Sequence, residues 1–252
     1  MGMGIRFDER IVKTIVQALY EAVTVGIPLA QSNNMRATTN CYPSLGVDVI
    51  HEHILKLVNF DGVLIHRIKR HNWTVFMIID NNAHNAYFVL SENNLKAIPA
   101  KKGRSWPHYL QSLLHEYHRG FEGKCVQQSF LPIEPFDDVT YEKDVERMLG
   151  GLMDDQEAWN IYVIAHKRNG KELVSVKQYF LSPSFDVIDE RNLIEYIVPD
   201  YSAVINPIDE NTTDTTPESE EEELIKLKPK PRPASEMESA PVVKPNEYGD
   251  VG

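Results

Sequence analysis

Two cysteines in 252 residues, Cys41 and Cys125, stand too far apart for a redox pair or a zinc half-site, and both are expected as free thiols in a reducing compartment. No run approaches the roughly 18 consecutive apolar residues of a spanning helix, and no apolar stretch follows the charged start Ile5-Arg6-Phe7-Asp8-Glu9-Arg10. A cytoplasmic protein without a membrane contact is expected. Also missing are G-x-x-x-x-G-K-[ST], G-x-G-x-x-G after a strand, G-x-S-x-G and H-E-x-x-H. The common nucleotide-binding, serine hydrolase and zinc protease classes lose their usual markers with them, so no cofactor is expected and an enzyme is disfavoured.

What is there is an ordinary globular composition, 42% hydrophobic and 25% charged, carried by a chain whose character changes near residue 205. Residues 8–24 repeat Ile11, Val12, Ile15, Val16, Leu19, Tyr20 and Val23 at helical spacing, with Gly26 and Pro28 as the expected stop. The polar stretch 31–40 reads as a mobile or binding loop, and a second helix is expected over 44–59. Three β-branched and aromatic runs, 63–68, 73–79 and 86–90, then predict an antiparallel meander. Ser105 offers a helix cap before Leu110, Leu113, Leu114 and Tyr117, and a further helix carries Val145, Met148, Leu149 and Leu152. Asn169-Gly170 between strand-like runs predicts a hairpin over 161–181, and 189–197 reads as a short last helix. The expected fold class is α+β, an antiparallel sheet of about five to six strands packed by about four helices. Residues 1–205 form that single domain. Residues 206–252 have no apolar periodicity and read as a disordered, acidic, proline-containing tail through which a protein partner could be held.

Charge is uneven. Residues 62–124 carry nine basic side chains against four acidic ones and six of the nine histidines, whereas the tail is strongly acidic. Arg67, Lys69, Arg70, Lys101, Lys102 and Arg104 with Trp73 and Trp106 make a candidate nucleic-acid footprint, cations for phosphates and aromatic faces for bases. The plainer reading is a set of solvated strand ends. A metal or acid/base role is open to His108, His115 and His118, which recur on one side of the expected helix, opposite its apolar stripe and hence in water unless something covers that face. Asp80 at a strand end with Glu122 and Lys124 in Glu-x-Lys form is the one match to a Mg²⁺-dependent nuclease, since carboxylates hold the ion while the lysine supports the attacking water.

The stretch from Arg67 to Asp80, an arginine-rich strand start leading into Trp73-Thr74-Val75-Phe76, continuing to Pro107-His108-Tyr109-Leu110, resembles an uncharacterised bacterial family, a domain of unknown function from Gram-positive genomes and their mobile elements. The resemblance covers about residues 8–200 and implies no activity. The expectation is therefore a non-enzymatic binding or regulatory accessory protein of a bacterium or phage, contacting nucleic acid through 62–124, with a Mg²⁺-dependent nuclease as the alternative.

Overall fold

The computed structural model describes residues 7–33, 41–70, 73–121, 135–153 and 158–198. The first helix, α1 (Glu9–Glu21), is capped by Asp8, whose carboxylate accepts the Arg10 N–H, and its stripe of Ile11, Val12, Ile15, Val16 and Leu19 is wholly buried. Gly26 and Pro28 do not stop it. A π-helical turn (Ala22–Gly26) passes directly into α2 (Ile27–Asn33). The wider turn bonds the Ile27 N–H to the Ala22 carbonyl, five residues back, and so accommodates a proline that has no N–H to give. This rod, 9–33, is the one helix among the described residues with the length and composition to cross a membrane, but half of its most apolar window is buried inside the fold. Helix α3 (Tyr42–Leu57) follows, with Pro43 in its first turn.

The expected meander is present as β1 (Val63–Arg70), β2 (Trp73–Asp80) and β3 (Asn85–Ser91). After β3 the chain forms α4 (Glu92–Ala100), α5 (Tyr109–Tyr117) and α6 (Asp138–Leu149). It then completes the sheet with β4 (Asn160–Asn169), β5 (Glu172–Leu181) and β6 (Val187–Asn192). The six strands lie in chain order. Four junctions are antiparallel, but β4 runs parallel to β3, so the sheet is mixed rather than wholly antiparallel. The reason is the helical crossover between those strands: a return of this length lets the chain re-enter the sheet in its original direction. The last expected helix is instead β6 followed by a single 3-10 turn (Ile194–Tyr196), because β5 leaves an edge to be paired and Leu193 inserts fully into the core.

Strand alternation sorts the core into two layers. Ile78, Tyr87, Tyr162, Ile164, Val176 and Phe180 face α1 to α3. Met77, Ile79, Phe88, Ile161, Val163 and Leu181 face α4 to α6. The sheet is thus covered on both sides, which is why β2 and β4 read as apolar on both parities. The end of the described chain is tied back to the first helix, where the Tyr196 hydroxyl donates to Glu9 at 2.6 Å. The boundary expected at residue 205 and the tail beyond it lie outside the described residues.

Candidate nucleic-acid interface

Burial along α6 falls on Tyr141, Asp144, Val145, Met148 and Leu149, a single helical stripe with a carboxylate in it. An ionised group with no exposure must be paired and hydrogen-bonded to stay folded. Asp144 is fully buried, and four donors converge on it. Its Oδ1 accepts the Trp106 indole N–H at 2.7 Å and the Arg147 guanidinium at 3.0 Å. Its Oδ2 accepts the Ser112 hydroxyl at 2.6 Å and the Arg70 guanidinium. Asp144 therefore gathers the end of β1, the loop before α5, and α5 itself at one point.

Two consequences follow for the surface above it. Trp106 remains 39% exposed although its N–H is fixed, and Arg147 lies over its ring at 5.3 Å, so the indole is a held plate with a cation against it. Trp73, the register partner of Arg70 at the tip of the β1–β2 hairpin, is 59% exposed. Of the footprint residues singled out by sequence, Arg70 and Trp106 meet at Asp144, and the charges of Arg104, Arg70 and Lys101 all act on the ring of His108. Arg67 and Lys69 do not join them. They share the parity of Ile65, which faces the other core layer, and Arg67 lies over Phe76 at 5.3 Å, with His51 stacked on the same ring at 4.3 Å. The footprint is thus divided by the pleat of β1. Lys102 is exposed on the loop after α4.

The three histidines of the α5 region separate as well, and they are not all in water. His108 is the cap of α5 in place of Ser105; its Nδ1 accepts the Leu110 N–H at 3.3 Å. Burial and the cations Arg104 and Arg70 lower its pKa to about 3. His115 pairs with Asp138 at 3.0 Å and stacks on Tyr141. His118 is completely buried: its Nδ1–H donates to the Leu181 carbonyl at 2.6 Å, and the Ile161 N–H donates to its Nε2 at 2.9 Å. Burial lowers its pKa to about 4. The covered alternative is the one found: Tyr109 through Leu114 are all buried, Gln111 and Ser112 included, leaving no solvated helical face for the histidines to share. Among the described residues no three His, Cys, Asp or Glu side chains stand close enough to hold a metal.

Asp80 is almost fully buried, and its Oδ1 accepts the N–H groups of Asn82 and Ala83, folding the β2–β3 turn. Its proposed companions, Glu122 and Lys124, lie outside the described residues. Sequence reading passed over Asp144, Ser112 and Arg147. The signal was present: stepping back from Met148 and Val145 by four puts Asp144 and Tyr141 in the buried stripe, and a charged residue in a stripe calls for partners. Leu152, assigned to that stripe, is 40% exposed because Gly150, at φ +52°, ends the helix before it.

A family model matches residues 5–244, nearly the whole chain. The chain belongs to a family of unknown function, DUF5986. Membership in an uncharacterised family accords with the resemblance drawn from the Arg67–Asp80 stretch. No curated protein and no solved structure matches the chain. What members of this family bind must accordingly be argued from side chains such as those around Asp144.

Proposed function

We propose that this member of the family is a non-enzymatic binding protein that holds single-stranded nucleic acid across the surface above Asp144, as an accessory protein of a bacterium or phage. The observation that carries the reading is the fixed, half-exposed indole of Trp106 with Arg147 over its ring. A pre-oriented aromatic face is what a base stacks on, and stacking of this kind is worth about 1–3 kcal/mol per base without regard to sequence. Arg70, Lys101, Arg104 and Arg147 supply cations for the backbone, while Asp144, the carboxylate that Arg70 and Arg147 share, is buried and already satisfied. Trp73, beside Arg70 in the sheet, offers a second aromatic face. The bacterial or phage source rests on the sequence resemblance alone.

Anisotropy of a labelled oligonucleotide tests the reading. Binding should weaken steeply with added salt, as counterion release requires, and Trp106→Phe should retain much of the affinity that Trp106→Ala loses. Absence of binding at about 50 mM salt, a range in which phosphate contacts are strong, would remove the proposal.

A further inference from the structure

Beside the Asp144 cluster lies a set of donors with nothing to donate to. The Arg70 guanidinium gives one nitrogen to Asp144, but its Nε–H is buried without a partner. The Tyr109 hydroxyl is likewise buried and unpartnered, on a side chain that is only 6% exposed. His108 supplies the third donor. Its Nδ1 is committed as an acceptor to the first turn of α5, so the neutral ring carries its proton on Nε2, and no bond to that nitrogen is present among the described residues. The rings of His108 and Tyr109 are 4.2 Å apart, and the charge of Arg70 acts on both groups. Arg104 and Lys101 add further positive field at His108, and Asp144, the carboxylate whose charge reaches that ring, already accepts from four donors.

Unpaired buried donors are costly, and an oxygen-rich anion would supply the acceptors that the Tyr109 hydroxyl and the Arg70 Nε–H lack. Helix α5, nine residues long, also begins here, and its N-terminal dipole acts in the same direction. From the unpartnered Tyr109 hydroxyl, the Arg70 Nε–H and the His108 Nε2–H, we infer that the start of α5 is a phosphate subsite, and that it takes the terminal phosphate of a nucleic-acid strand. The inference rests on the strand-binding reading above. A strand end fits because the Tyr109 hydroxyl and the Arg70 Nε–H are buried, with the half-buried His108 beside them: a terminal phosphate can be inserted, whereas a mid-strand phosphodiester is held at the surface by its two neighbours. The terminal group also carries more charge and more free oxygens.

Three variants of one oligonucleotide, with a 5′-phosphate, a 3′-phosphate or neither, are compared by anisotropy. Inorganic phosphate, against chloride at equal ionic strength, is assayed by thermal shift. Tyr109→Phe removes only the hydroxyl, and His108→Asn keeps an α5 capping acceptor while removing the ring N–H. One of the phosphorylated strands should bind about tenfold more tightly than the unmodified strand, as expected for charge-assisted bonds to one added group, and both protein variants should lose that gain. Equal affinity for all three strands, or a gain that survives Tyr109→Phe, overturns the subsite, while the strand-binding reading stands if unmodified binding still depends on Trp106. A Tyr109-dependent thermal shift with inorganic phosphate, without any preference among strands, assigns the site to free phosphate and overturns the strand-end ligand.

Discussion

Lowering the pH should unfold this domain through its buried histidines, and His118 is the member whose share can be isolated. Its pKa is lowered from 6.5 to about 4 by burial. Protonation would also set an Nε2–H against the Ile161 N–H, donor against donor. As pH falls below 6.5 the unfolded chain takes up a proton on this ring, while the folded chain does so only near pH 4, so the unfolded state binds more protons across that window. Stability is therefore complete above about pH 6.5 and is lost progressively toward pH 4. The full shift corresponds to about 3 kcal/mol, of which about 2 kcal/mol is gone by roughly pH 5. His166, lowered to about 4 by burial and Arg168, and His108, lowered to about 3, lose stability in the same direction over the same range. Together the three approach the ~5–15 kcal/mol that a typical domain possesses, so acid unfolding is expected near pH 5. His118→Phe fills the space but leaves the Ile161 N–H and the Leu181 carbonyl without a side-chain partner. It should cost about 2–5 kcal/mol at neutral pH, and the loss between roughly pH 7.5 and pH 5 should shrink by about 2 kcal/mol relative to the parent. Urea unfolding of both proteins at the two pH values measures this. An unchanged pH dependence in the variant, or an imidazole resonance of His118 titrating near its unperturbed value, would refute the reasoning.

Three further outcomes follow. Asp144→Asn leaves the buried guanidinium of Arg70 without its counter-charge and should destabilise the fold by about 3–5 kcal/mol in denaturant titration, with a rise in Trp106 mobility seen by fluorescence anisotropy. Gly26→Ala would place a Cβ 2.5 Å from His53 Nε2 and 2.8 Å from Val49 Cγ1, and the overpacking should cost about 1–3 kcal/mol, read as a lowered Tm. Gly150→Ala meets no neighbouring atom but must keep φ near +52°, so its cost should be about 1 kcal/mol, measured in the same way and unaffected by pH.

Local chemistry alone determined much of this protein. The α1 stripe, the three meander strands, the Val145, Met148 and Leu149 stripe of α6, and the β4–β5 hairpin all declare themselves through spacing and turn residues that act within a few positions, and each is found in the structure. Local signals misled where a tertiary partner overruled them. Pro28 was carried by a π turn packed into the core, Leu193 drew residues 187–192 into a sheet edge, and α4 formed from a segment with two asparagines and Pro99 because Ser91 caps it and Ile98 buries against the sheet. The site shows the same division. The residue types were legible, arginines and tryptophans in one segment, but their sides were not: the pleat of β1 sends Arg67 one way and Arg70 the other. What tied Arg70, Trp106 and Ser112 together was Asp144, up to 74 residues away in the chain. Periodicity reports which face of an element is buried, whereas the identity of the group it is buried against is set only when distant elements pack, and for a charged side chain that identity decides everything.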